Sequence, residues 1–358
     1  MLGARWTALV VVAALAVGVA VGCGSSESGV DVEKIAFVAP GRDNDPDWTQ
    51  QSQAVLDEFP RTLGIRVDVA DASQADDVAA VLEQVSGEDN QLVIAHDGRY
   101  ADAAERVAEK TGVPELVWGE RHDPPEHLVG QMTVQDKEGG YMAGVIATKA
   151  AISRRLGIVV GADASDWELA TWNRMAGGFV AGARSVDPKA KIYYTQVGSD
   201  GDATAEQMHD ATRRVLDRGA QMVFILGGPS AIGAQRALES KRGTGETLFF
   251  GVATDKSSTV HLEEAGVPYM LGSIIWETKD AFRQAVRDVR DGTFGEHPYA
   301  LTLRNRGVRL FTTGRAPSDA VEVAEDEAAK MSKGTLDVPV TPTSDAVEAL
   351  VAGDQPEG

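Results

Sequence analysis

The residues best suited to ligand chemistry lie in short segments that each follow an apolar run. Asn44-Asp45-Pro46-Asp47-Trp48-Thr49 brings an amide, carboxylates, an indole and a hydroxyl within a few positions of one another. An indole face stacks on a planar ring or holds a cation through its quadrupole, while the polar neighbours can fix a ligand's edge. Asp97 and Gly98 follow the run Gln91–Ala95, where the carboxylate can face a ligand or cap a helix. Gly227 and Gly228 precede a helical pattern, so their backbone forms either a tight turn or a cradle of amides for a polar atom. Asp255 follows the run Leu248–Val252, and Trp276 ends Ser273-Ile274-Ile275. Asn44, Asp45, Trp48, Thr49, Asp97, Gly98, Gly227, Gly228, Asp255 and Trp276 are therefore the candidate ligand contacts.

Catalytic constellations are not among these segments. The chain holds no phosphate loop, Gly-x-Gly-x-x-Gly fingerprint, Gly-x-Ser-x-Gly elbow or His-Glu-x-x-His pair. His122 and His127, the nearest two of the six histidines, stand in a Pro-containing loop that reads as solvated surface. The expectation is a binding protein, not an enzyme, with no metal and no cofactor.

The amino terminus sets the compartment. After Arg5, Thr7–Gly22 is an uncharged run of 16 residues rich in Ala, Val, Leu and Gly. A membrane-spanning helix needs about 20, so residues 1–22 read as a secretory signal peptide. Ala20-Val21-Gly22-Cys23 resembles the bacterial lipobox, which makes Cys23, the single cysteine, the expected lipidation site. No disulfide within the chain and no thiolate metal site can form. Residues 23–32 form a Gly/Ser-rich tether. The expected location is the extracytoplasmic face of the cell membrane, held by lipid.

Charge narrows the partners. Asp and Glu number 54 against 34 Lys and Arg, a formal net charge of −20. A nucleic-acid binder needs a basic face to neutralise phosphates, so nucleic acid is excluded as a partner. Such charge keeps a surface protein soluble and off anionic headgroups, and a monomer is expected.

Those site segments are held by alternating strand and helix signals. Lys34–Val38, Ile65–Val69, Gln91–Ala95, Leu156–Val160, Lys191–Tyr194, Met222–Leu226 and Leu248–Val252 read as buried strands. Trp48–Leu63, Val78–Val85, Ala101–Lys110, Thr171–Val186, Ala205–Arg218 and Ile232–Ser240 carry helical spacing between them. Buried strands separated by such helices predict parallel, doubly wound sheets. Two series of about four strands predict two Rossmann-like α/β lobes, with ligand in the cleft beyond the carboxyl ends of the strands.

The segments also carry a resemblance. Gly41-Arg42-Asp43-Asn44-Asp45-Pro46-Asp47-Trp48-Thr49-Gln50, Glu138-Gly139-Gly140-Tyr141-Met142-Ala143-Gly144, and Asn173-Arg174 through Gly178-Phe179-Val180-Ala181-Gly182-Ala183-Arg184-Ser185-Val186-Asp187-Pro188 resemble, in order, landmarks of the basic membrane protein family of solute-binding lipoproteins. Asp291-Gly292-Thr293-Phe294 and Asn305-Arg306-Gly307-Val308 match its late landmarks. The resemblance implies a type I periplasmic-binding fold, a nucleoside-type ligand between the lobes, and a membrane ABC permease as partner. It places Trp48 where an aromatic stacks on the base, with Thr49 where Asn is usual. The family's ribose-binding Asp and Lys fall at Ala253 and Trp276, so both ribose contacts are replaced. The ligand expected is a nucleoside or another small aromatic or cationic solute. The alternative role is a surface sensor or partner-binding lipoprotein without a transporter.

The resemblance further implies three hinge crossovers, near Gln131–Val134, Gly272–Ile275 and Tyr299–Leu303. The N-terminal lobe is expected at 33–133 plus 273–300 and the C-terminal lobe at 134–272 plus 301–337. A disordered tail is expected at 338–358, where Pro and Thr are frequent.

Overall fold

The computed structural model describes residues 29–40, 48–73, 75, 77–162, 166–198, 202–228, 230–240, 248–252 and 270–353, with backbone alone at 48 and 248–252. The chain forms two six-stranded sheets. The first contains β1 (Lys34–Ala39), β2 (Arg66–Asp71), β3 (Leu92–Ala95), β4 (Glu115–Trp118), β5 (Val129–Val134) and β11 (Tyr299–Leu301) in the order β11-β5-β4-β3-β1-β2. The second contains β6 (Arg155–Gly161), β7 (Lys191–Val197), β8 (Met222–Leu226), β9 (Leu248–Val252), β10 (Met270–Trp276) and β12 (Val308–Thr312) in the order β12-β10-β9-β8-β6-β7. Every pairing is parallel except β10 with β12.

Burial explains the parallel arrangement. Within β1 the run Ile35–Ala39 is buried on both faces, as are β3 and β8 throughout. Such strands need helices on both sides of the sheet. The first sheet receives α1 (Trp48–Leu56), α2 (Phe59–Thr62), α3 (Val78–Ser86), α4 (Ala101–Thr111) and α9 (Lys279–Asp291). The second receives α5 (Asp136–Ala150), α6 (Asp166–Val186), α7 (Ala205–Asp217), α8 (Ala231–Ser240), α10 (Ser318–Ser332) and α11 (Ser344–Ala352). One helix was expected over Trp48–Leu63; Pro60 starts a new turn and divides it into α1 and α2. The first sheet has three strands beyond the runs named above, β4, β5 and β11, and the second has two, β10 and β12; β4 and β11 are short, and β4 carries Glu115.

Three segments cross between the sheets. The chain leaves the first after β5, at Gln135, whose N–H donates to the Leu301 carbonyl at 2.8 Å. It returns after Trp276, later than the boundary expected at 273, because Ser273–Trp276 hydrogen-bond along β12 and not into the first sheet. It crosses finally between β11 and β12, with Asn305 Oδ1 accepting from Thr302 and Gly307 amides at 2.9 Å.

Two glycine series let α5 and α6 cross closely. A Cβ on Gly140 or Gly144 would run into the carbonyls of Met175 and Phe179; one on Gly178 or Gly182 would meet those of Lys137 and Tyr141. The glycines of the two motifs that carried the family resemblance therefore serve helix packing, at a distance no larger residue permits. Asp136, buried at the start of α5, is tied to Arg174 of α6, whose Nε donates to it at 2.7 Å.

The expected disorder of 338–358 is corrected up to residue 353. Val338, Thr341, Val347 and Leu350 are buried, and each buried Val or Leu contributes about 1.5–3 kcal/mol toward ordering its segment. Thr341 Oγ1 donates to the Asn173 carbonyl at 2.9 Å, in a seat that Gly177 leaves open on α6. Arg184 donates to the carbonyls of Leu350 and Val351, satisfying the end of α11. Residues 354–358 lie outside the described residues.

Candidate functional site

Strand order reverses between β1 and β3 in the first sheet and between β6 and β8 in the second. At such switch points the loops diverge and leave a crevice beyond the strand carboxyl ends. The elements leaving those ends carry aromatic side chains toward the facing lobe. Phe37 lies in β1, His96 directly after β3, Trp118 at the end of β4, Trp276 at the end of β10, and Trp167 and Trp172 in the first two turns of α6.

These rings form one continuous cluster. Phe37 and His96 have centroids 4.8 Å apart, and His96 meets Trp118 edge-on at 5.9 Å. Trp118 reaches across to the second lobe, 5.5 Å from Trp167 and 6.1 Å from Trp276. Trp276 and Trp172 lie 5.6 Å apart and within 13° of parallel. Trp118, Trp172 and Trp276 are buried, and the same apolar core runs through both lobes. The contact is close at Gly119, whose φ of +100° turns the chain and where a Cβ would stand 2.9 Å from Trp167 Cδ1.

Polar groups frame this cluster. Trp118 Nε1–H donates to His96 Nδ1 at 3.1 Å. Indole is a donor only, so in the neutral imidazole Nδ1 is the acceptor and Nε2 carries the proton. Gln51 Nε2 reaches the Trp276 carbonyl at 3.4 Å, and Ser52 and Thr278 hydroxyls approach to 3.5 Å, joining α1 to the second crossover. Thr49 Oγ1, Gln51 Oε1 and Trp172 Nε1 are buried without a hydrogen-bond partner. Buried polar atoms are nearly always paired, so these three are candidates for contact with a ligand.

The residues expected from sequence are distributed unevenly. Trp276 lies in the cluster, and Thr49 is buried on the first turn of α1, which Trp48 opens. Asp97 is not available for a cationic ligand: Arg99 Nε and Nη2 donate to its two oxygens at 2.9 and 2.6 Å, and it also accepts from the Arg99 amide. It thus caps the short 3-10 turn Gly98–Tyr100, of which Gly98 is the first residue. The Asp97 hydrogen bonds hold the Arg99 guanidinium charged, and Glu168 of α6 adds its field from the other lobe. Gly227 and Gly228 turn the chain between β8 and α8, with the Gly228 carbonyl accepting from Ala231 N at 3.1 Å. Asn44, Asp45, Ala253, Asp255 and Cys23 lie outside the described residues.

Sequence reasoning passed over His96, Trp118, Trp167 and Trp172 as contacts. A signal existed for Trp118: it follows Glu115-Leu116-Val117 and precedes Gly119, the pattern of a strand end meeting a turn. Trp167 and Trp172 occupy the opening turns of α6, which starts earlier than the helix expected from Thr171.

A family model described as ABC transporter substrate-binding protein PnrA-like, Bmp, matches residues 32–341. The chain belongs to this family. Among the relatives of this Bmp protein, a purine-binding protein of Brucella abortus (strain 2308) is 22% identical over 338 residues, covering 90% of this chain and 88% of that protein. An ABC transporter nucleoside-binding protein of Lactococcus lactis subsp. cremoris (strain MG1363) is 25% identical over 221 residues, 60% of each chain. In three dimensions the Bmp chain is similar to a solute-binding protein of an ABC transporter system from Aeropyrum pernix K1. The TM-score is 0.72 at 16% identity, over 90% of this chain and 98% of the other. The fold is the two-lobed periplasmic-binding fold, and the family and these relatives are solute-binding proteins.

Proposed function

We propose that this Bmp protein is the lipid-anchored extracytoplasmic receptor of an ABC importer and captures a nucleobase-containing solute between its lobes. The observation that carries the reading is the cluster of Trp118, Trp167, Trp172 and Trp276, which bridges both sheets at their carboxyl ends. Flat heterocycles gain from indole faces both burial and stacking, the latter worth about 0.5–1.5 kcal/mol per pair. The names of the two relatives, purine-binding and nucleoside-binding, support the same class of solute. Asp97 is engaged by Arg99 and is not a free carboxylate for a cationic ligand.

The mechanism is lobe closure. A ligand that touches both lobes adds affinity only when they meet, and so shifts the population toward the closed form that the permease reads. The tether supports this arrangement. Val30 N donates to the Val289 carbonyl, which puts the first described residues at the amino ends of the first-sheet strands, opposite the carboxyl ends that carry the cluster.

Titration calorimetry with purine bases and purine nucleosides, together with tryptophan fluorescence, tests the assignment. Saturable binding of at least one of them with a change in indole emission is expected. No binding of either class would overturn it.

A further inference from the structure

Trp276 and Trp172 occupy part of the interlobe space with a nearly parallel pair of indoles, 2% and 6% exposed. We propose that the ligand is a free heterocyclic base and not its nucleoside, and that Trp172 and Trp276 set this selectivity, a reading that rests on the receptor function above.

Two observations carry it. The first is apolar: ribose has three hydroxyls, each of which must leave water on entering the cleft. Against the indole faces of the described residues they gain no hydrogen bond, and hydroxyls buried without partners are strongly rejected. A planar base loses nothing comparable, because its faces lie against Trp118, Trp172 or Trp276 and only its edge needs hydrogen bonds. The second is polar: Thr49 Oγ1, Gln51 Oε1 and Trp172 Nε1 are buried and unpaired. They are a hydroxyl, an acceptor and a donor, the kinds of group that can pair with the edge of a purine base. Gln51 is placed beside Trp276 by its hydrogen bond to that residue's carbonyl. Selectivity thus arises from filling the sugar's share of the cleft with side chain while leaving a few polar atoms for the base.

The experiment compares adenine, guanine and hypoxanthine with adenosine, guanosine and inosine by calorimetry on the purified protein and on Trp276→Ala. In the native protein at least one base should bind tenfold or more tightly than its own nucleoside. In Trp276→Ala, which opens room for the sugar, that preference should shrink by at least tenfold, with melting temperature recorded to confirm folding. Trp172→Ala serves in the same way if the first variant does not fold. Nucleosides that bind the native protein as tightly as their bases would overturn the inference and leave the receptor function standing. A base preference unchanged in the folded variants would remove the selectivity from these tryptophans. Absence of binding by both classes would overturn the receptor function and this inference with it.

Discussion

At the scale of single residues, the indole–imidazole pair and the buried acids show how context decides chemistry. Trp118 uses its only donor on His96, which fixes the imidazole tautomer and orients both rings at the cleft. Glu115, three residues earlier on β4, is fully buried with neither oxygen hydrogen-bonded, and burial pushes its carboxyl up to about 9. The carboxyl is therefore neutral in the native state at pH 7. Below its ordinary value of 4.5 the native and unfolded chains are both protonated there, and the group adds no pH-dependent cost. As pH rises from 4.5 to about 9, the unfolded chain releases a proton that the folded chain keeps, so stability falls across this window. Glu115→Gln should raise the melting temperature at pH 8 and have far less effect at pH 4.5. Calorimetric scans of both proteins at the two pH values check this, and equal differences at both would contradict it.

At the scale of elements, the α5–α6 crossing is the joint on which the second lobe depends. Its glycines allow backbone contact, and α6 in turn carries Trp167 and Trp172 into the cleft while holding the carboxyl-terminal segment on its other side. Gly140→Val would drive a branched side chain into the Met175 carbonyl. Overpacking of this kind typically costs about 1–3 kcal/mol, and a backbone collision belongs at the upper end. A drop in melting temperature of several degrees is expected, whereas Gly314→Val, at a site with open space, should change it little. Equal melting temperatures for Gly140→Val and the native protein would show that the crossing can relax.

At the scale of the whole molecule, strand direction separates the two ends of each lobe. Val30 lies at the amino ends of the first-sheet strands while their carboxyl ends face the partner lobe, so the proposed anchor and the proposed ligand site are assigned to opposite sides. Cys23→Ser should therefore abolish partition into the membrane fraction and incorporation of labelled fatty acid while leaving ligand affinity unchanged. Lipid labelling that persists in the variant would remove Cys23 as the anchor, and lost ligand affinity would contradict the separation of the two ends.

Much of this molecule was legible along the chain because the signals are local. Buried strands read as apolar runs and amphipathic helices repeat near 3.6; neither requires a distant residue. The family motifs were readable for the same reason, yet their purpose was not. Gly140 and Gly178 stood only as landmarks of the resemblance until the α5–α6 crossing showed backbone against backbone. Asp97 had equal claims as cap and ligand contact until the Arg99 side chain folded back on it. The tail looked polar enough for disorder because the groove that buries Val347 and Leu350 belongs to α6 and β7, far away in sequence. The aromatic cluster was the least visible feature: Trp118, Trp167, Trp172 and Trp276 meet only because two sheets present their carboxyl ends to each other, and that juxtaposition is a property of tertiary packing alone.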